Sequence, residues 1–383
     1  MTVVEESDLR IAARRHLIGR GRDELPTPAL LLDLDIARTN IATMAARFRE
    51  LPAELRPHIK VHKSPDLALL QCEAGAIGVA CATVWEAIAM ARAGIEDVLV
   101  ANQVIGTDKL RALAEAARDH RLTVAVDDAR NVEALDRAAA AAGAEIAVLV
   151  ELDVGMERCG VRTKEQALEL ARVAAAKRHL TLRGMQGYEG HCMLEPDPDR
   201  RVRETRIANE KLMEAVGHLA AHDLRSEVVS AGGTGTYFIT GAEPVITEVQ
   251  AGSYTLMDCF HTNLGPGGFE TALTVLGTVI SRQGSTVVLD AGRKSIGIDF
   301  VAPRLLDHPD LEARYFAEEH ALFDFPDDPP VDLGDRLELI AGYSPTTVNL
   351  HDAFFVVEDG QVTDLWPVLP RHVDVSLEQA VAR

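Results

Sequence analysis

From Arg56 onward, short apolar runs alternate with alanine-rich amphipathic windows for about 200 residues. The apolar runs are 56–61, 77–81, 97–101, 123–126, 146–152, 182–186, 227–230 and 253–257. The windows between them carry helical periodicity, as in 84–93, 109–120, 129–142, 163–175 and 202–222. Strands alternating with helices predict a parallel sheet with helical crossovers. Eight such strands predict a closed (β/α)8 TIM barrel rather than an open sheet. A doubly wound sheet would need a glycine-rich turn after the first strand, and 32–39 has none.

Upstream, residues 1–25 are polar and predict a short helix and a turn. Pro26 and Pro28 introduce a strand at 29–35, followed by a helix at 36–49 with Asp35 as N-cap. The texture changes at the turn-rich Leu264-Gly265-Pro266-Gly267-Gly268. Beyond it the runs 273–280, 285–289, 336–340, 347–350, 354–358 and 361–365 predict a second, mostly β domain. The acidic, proline-rich stretch 323–332 reads as a long surface loop.

A formal net charge of -20 argues against nucleic acid as a partner, because phosphate backbones need a basic footprint. No run approaches 18 apolar residues, so no membrane helix is expected. The N-terminus lacks the apolar core of a signal peptide, which predicts a cytoplasmic protein. Five cysteines, an odd number without a C-x-x-C pair, fit reduced thiols rather than disulfides or a zinc finger.

Read as a strand, 56–63 puts Ile59 and Val61 on one face and Arg56, His58, Lys60 and His62 on the other. One reading is a solvated edge strand. The other is a lysine whose pKa is lowered by burial and cationic neighbours, making Lys60 a nucleophilic amine. In a barrel, catalytic groups collect at the C-terminal ends of strands. Lys60, His62, Asp153, Arg158, Tyr188, His191 and the loop 232–236 all fall at such ends.

The glycine-rich run Ser230-Ala231-Gly232-Gly233-Thr234-Gly235-Thr236 is either a flexible loop or an anion nest. Its spacing is neither a P-loop nor a dinucleotide fingerprint. Tyr188 could face a flat ring. His191 is either structural or an acid–base group. Asp153 and Arg158 make either an ordinary salt-bridged loop or part of a site. Ser253 and Tyr254 could add donors to an anion, with packing the alternative for Tyr254. A lysine, an anion nest and a barrel together suggest pyridoxal 5′-phosphate held as a Schiff base.

Thr27-Pro28-Ala29, Arg56-Pro57-His58-Ile59-Lys60-Val61-His62-Lys63, Tyr188-Glu189-Gly190-His191, 230–237 and Thr347-Val348-Asn349-Leu350-His351-Asp352 resemble the D-threonine aldolase and D-serine dehydratase family. These are fold-type III pyridoxal-phosphate enzymes with an alanine racemase-like barrel. The resemblance covers about residues 25–370. It implies a cofactor barrel at 36–265 and a β-rich domain from 1–35 plus 266–383, with the strand 29–34 in the latter. It further implies Lys60 as the Schiff-base lysine, Gly232, Gly233 and Thr234 on the phosphate with Ser253 or Tyr254, Tyr188 near the pyridine ring, and a homodimer. Family members usually bind a divalent metal through a His-x-Cys or His-x-Asp pair before the Thr-Val-Asn-Leu stretch. Here Tyr343 and Pro345 stand at those positions, and a one-residue slide offers only Gly342 and Ser344. The expectation is therefore a lyase acting on a small D- or β-hydroxy amino acid without that metal, with His62, His191 or Tyr343 as acid–base candidates. A dehydratase, a racemase, a non-catalytic cofactor carrier and a cofactor-free barrel are the alternatives.

Overall fold

A computed structural model describes residues 11–265 and 267–370. The described chain divides into two units. One comprises Met44–Lys60 and Leu67–Gly252, and the other the residues up to Thr43, Val61–Asp66 and those from Ser253 onward.

The first unit is a parallel barrel. Its strands are β2 (Glu54–Leu55), β3 (Val79–Cys81), β4 (Asp97–Val100), β5 (Arg121–Val126), β6 (Ile146–Glu151), β7 (Leu180–Gln186), β8 (Val228–Ala231) and β9 (Glu248–Val249). They pair in the order β2-β9-β8-β7-β6-β5-β4-β3. The chain past β2 then bridges to β3, with Ala80 N–H donating to Pro57 O at 2.8 Å and His58 opposite Ala80, so the ring closes. Burial explains the apolar runs: β4 is buried throughout, and Ala80, Leu99, Leu149 and Val228 pack into one cluster. The helices start where short polar side chains cap them. Thr83 and Thr163 accept from the amides of Glu86 and Gln166, at 3.2 Å each, and Asp197 caps the long helix Pro198–Ala220 with proline at its start.

The second unit holds a nine-stranded sheet. Its longest path runs β13 (Ala313–Phe316), β14 (Ala321–Asp324), β11 (Thr286–Leu289), β10 (Leu273–Gln283), β1 (Ala29–Asp33), β16 (Ala353–Glu358), β17 (Gln361–Pro367). Off that path, β15 (Arg336–Ile340) pairs β10 and β12 (Arg304–Leu305). The strand β1 is antiparallel to β10 and parallel to β16, so it belongs to this sheet and not to the barrel. Leu25, Ala29, Leu31, Leu276, Phe355 and Leu365 form part of its core.

Several sequence expectations are corrected. The run 56–61 is not a strand: regular pairing ends at Leu55, and Ile59–Val61 is a 3-10 turn. The eighth barrel strand is Glu248–Val249, while Ser253–Thr255 is a 3-10 turn. Thr347 lies in a short helix, Ser344–Val348. Three strands, β12, β13 and β14, arise where none or a loop was expected. The cap of the helix Leu34–Phe48 is Asp33, whose Oδ1 accepts from Ile36 N–H at 2.9 Å, rather than Asp35. Of the helix expected within 1–25, residues 1–10 lie outside the described residues. The rest shows a helical turn at 11–14 and 3-10 turns at Arg15–Leu17 and Arg22–Glu24.

Candidate active site

Lys60 sits in the 3-10 turn just past the ring-closing bridge, at the C-terminal end of the barrel wall. Its Nζ lies 5.6 Å from the centroid of the Tyr188 ring, which follows β7. The guanidinium carbon of Arg158, on the loop after β6, lies 5.5 Å from the same centroid. Both cations face the electron-rich ring. Burial lowers the pKa of Lys60, the Arg158 charge lowers it further, and the Glu86 carboxylate works in the opposite direction. Lysine is thereby held closer to its neutral, nucleophilic form.

The loop after β8 runs along the edge of Tyr188. A Cβ on Gly233 would stand 3.6 Å from Tyr188 Cε2. Gly232 has φ +80, and a Cβ there would stand 2.7 Å from Val249 Cγ1, so the loop needs glycine for both conformation and room. The loop is braced from below by Glu189, which is 1% exposed. Glu189 accepts from Gly232 N–H at 3.1 Å, Thr236 Oγ1 at 2.8 Å and Thr240 Oγ1 at 2.7 Å. Gly233 N–H donates to Thr236 Oγ1 at 3.1 Å. Two amides expected to cradle an anion are therefore engaged within the protein, and the glycines act here through shape.

Glu189→Gln keeps the shape but removes the charge that three donors share. It is expected to cost about 1–2 kcal/mol of stability and to weaken retention of added pyridoxal phosphate about tenfold. Urea unfolding and cofactor titration by visible absorbance check this.

The remaining predicted residues are placed as follows. Asp153 Oδ1 accepts from Gly155 N–H at 3.1 Å and Glu157 N–H at 2.9 Å, and Oδ2 pairs with Arg162 rather than Arg158. His191, in the 3-10 turn Gly190–Leu194, packs against Gly155 with its buried Nδ1 lacking a hydrogen bond. Ser230 Oγ accepts from Gln250 Nε2 at 2.9 Å. The other unit contains His62, Ser253, Tyr254 and Tyr343. His62 is fully buried, its Nδ1 accepting from Ser64 N–H at 3.0 Å. Tyr254 is fully buried with its ring 5.7 Å from that of Phe269.

Arg56 is a correction. It does not stand beside Lys60. It is 2% exposed and pairs with Asp97 Oδ1 at 2.9 Å. Its Nε lies 2.8 Å from Glu248 Oε2, a Coulombic contact whose N–H is not aimed at the oxygen.

Sequence reasoning missed Glu86, Glu151 and Glu189. Glu86 had a legible signal, since Thr83-x-x-Glu86 has the spacing of a capping box. Its Oε2 accepts from Ala82 N–H at 2.7 Å. Glu151 is 3% exposed and accepts from Gln103 Nε2 at 2.5 Å, and burial raises its pKa against the opposing effects of Gln103 and Arg158.

Comparison with known proteins adds the following. A family model described as "Alanine racemase, N-terminal domain" matches residues 32–259, and one described as "Putative serine dehydratase domain" matches 272–357. A 3-hydroxy-D-aspartate aldolase of Paracoccus denitrificans (strain Pd 1222) is 36% identical over 366 residues, covering 93% of this chain and 94% of that protein. A D-threonine aldolase of Arthrobacter sp is 37% identical over 350 residues, covering 90% of this chain and 92% of that protein. The crystal structure of D-threonine aldolase from Filomicrobium marinum superposes with a TM-score of 0.89 at 37% identity, covering 92% of this chain and 98% of that one. Among the described residues, no helix is long and apolar enough to cross a membrane.

Proposed function

The chain belongs to the alanine racemase-like family that includes D-threonine aldolase and 3-hydroxy-D-aspartate aldolase, and we propose that it is a pyridoxal-phosphate-dependent lyase cleaving a small D- or β-hydroxy amino acid by a retro-aldol step. The observation that carries this reading is the gathering of Lys60 and Arg158 on the Tyr188 ring, with the glycine loop at the ring's edge.

These residues fit the cofactor. An amine held toward neutrality suits an aldehyde, an aromatic face suits a planar ring, and the Arg158 guanidinium suits a phosphate-bearing group. When bound, pyridoxal phosphate supplies a carbonyl carbon for an amine and a conjugated ring that draws electrons from the substrate α-carbon. Lys60 supplies the attacking Nζ lone pair, and afterwards takes or delivers a proton at the α-carbon. Tyr188 orients a ring against its face. Arg158 lowers the Lys60 pKa through its charge. The assignment of Thr234, Ser253 and Tyr254 to the phosphate rests on the sequence resemblance. In the cleavage the Cα–Cβ bond breaks, the β-hydroxyl loses its proton to leave an aldehyde, and the α-carbon gains a proton to give glycine.

The reading also carries a homodimer and a cytoplasmic location. The free state of all five cysteines supports a reducing compartment.

Incubation with a panel of D- and L-amino acids tests the reaction. Glycine plus an aldehyde is expected from a β-hydroxy D-amino acid. A keto acid plus ammonia would replace the aldolase by a dehydratase, the reading that the match over 272–357 favours next. Formation of the enantiomer would mean a racemase. A holoprotein that alters no amino acid would be a cofactor carrier.

A further inference from the structure

The segment that the sequence resemblance assigns to a divalent ion has side chains that do not fit one. Pro345 has no side-chain donor. Burial first, and then the charges of Asp258 and Asp299, push the Tyr343 phenol up to about 12, so it stays protonated at neutral pH. A neutral phenol is a poor ligand for a zinc-like ion. The imidazole beside it, His261, is stacked on the Tyr343 ring at 5.7 Å and 17°. Its Nδ1 is held by Asp258 Oδ1 at 2.8 Å. Among the described residues, no three His, Cys, Asp or Glu side chains gather as an ion-binding group.

What stands at this place is a built cluster. Asp258 is fully buried and bonds on both oxygens. Oδ1 also accepts from His261 N–H at 2.8 Å, and Oδ2 accepts from Ser344 N–H at 2.7 Å. Ser344 Oγ donates to Met257 O at 2.5 Å. Two backbone bonds tie the same segments, Cys259 N–H to Ala341 O at 3.0 Å and Phe260 N–H to Gly342 O at 3.2 Å. Gly342 gives room to a third segment, since a Cβ there would stand 2.1 Å from Val301 O. Phe260 and Phe300 meet the Tyr343 ring edge-on, at 6.0 and 5.0 Å. A carboxylate on Nδ1 fixes the imidazole's orientation and leaves Nε2 to act on another group. The phenol ring is clamped on three sides, which fixes the position of its oxygen.

We propose that this cluster is a metal-free hydrogen-bonding centre, in which Asp258 positions His261, and Tyr343 presents a neutral O–H to a ligand hydroxyl or carboxylate oxygen where relatives would use an ion. It rests on the lyase reading for the identity of that ligand.

The test has readouts independent of that reading. The purified holoenzyme, equilibrated with Mn2+, Co2+ or Zn2+ and desalted, is expected to retain under about a tenth of an ion per chain. The ultraviolet difference between wild type and Tyr343→Phe should show no phenolate at neutral pH, with or without added ion. Chelator should leave turnover unchanged. With cofactor absorbance intact, Tyr343→Phe and His261→Gln are each expected to lower kcat/KM about tenfold or more. Asp258→Asn should lower kcat with KM unchanged. Retention of about one ion per chain, or a phenolate band appearing on metal addition, would overturn the proposal. So would full kcat/KM in both Tyr343→Phe and His261→Gln. Failure of the lyase reading would show separately, in the product panel.

Discussion

Lys60→Ala is expected to lower turnover by on the order of 10⁴-fold or more and to abolish the visible absorbance of the protein with pyridoxal phosphate. Lys60 lies against the Tyr188 ring at the C-terminal end of the barrel wall, where burial and Arg158 both disfavour its ammonium form. No other lysine meets both conditions among the described residues for which a shift is resolved: Lys294 is shifted upward by Glu319. Arg158→Gln gives the sign of the electrostatic part. Removing that charge removes one of the two causes that lower the Lys60 pKa, so the pKa rises. The acid limb of cofactor capture then moves to higher pH, which stopped-flow absorbance at several pH values measures. A Lys60→Ala protein that still binds the cofactor covalently would sink the lyase reading.

Arg56→Met is expected to destabilise the protein by about 3–5 kcal/mol while leaving the cofactor spectrum of the folded fraction unchanged. Arg56 lies between two acids, Asp97 and Glu248, the latter 2% exposed. Asp97 would keep Arg121 and Arg183, each at 3.3 Å. Glu248 would be left as a buried carboxylate without that partner, and the desolvation cost of such a group is what makes breaking one side of a buried pair expensive. Close packing adds to this, because Gly78 brings its backbone within reach of the same guanidinium. Denaturant midpoints together with absorbance spectra check the prediction. Unchanged stability would mean that water relieves Glu248 in place of Arg56.

The barrel was legible because burial on both faces imposes unbroken apolar runs, and because caps such as Thr83 and Thr163 announce their helices. The failures have local causes. Residues 56–61 alternate as a strand does, yet Arg56 is drawn to acids inside the barrel, and the chain turns at Ile59. The eighth strand is two residues long and begins with a charge, Glu248, so it left no apolar signature. The β-branched Thr347 suggested a strand. In the structure Pro345 opens a helical turn, and the Thr346 and Thr347 hydroxyls donate back to Tyr343 O at 3.3 and 2.9 Å. Within the site, Lys60, Arg158, Tyr188 and the glycine loop were legible because barrel logic sends such residues to strand ends. Glu189 was not, since a single acid beneath a loop has no period.

Three residues separate Arg56, locked among acids in the barrel wall, from Lys60 at its rim. A mutational screen scored only by turnover would place both in the same inactive class. Scored also by cellular abundance, they should part company: substitutions at Lys60 leave an abundant, colourless protein, and substitutions at Arg56 deplete the protein itself. The single octapeptide 56–63 thus encodes two separable phenotypes, and a chaperone-rich or low-temperature host should rescue only the second.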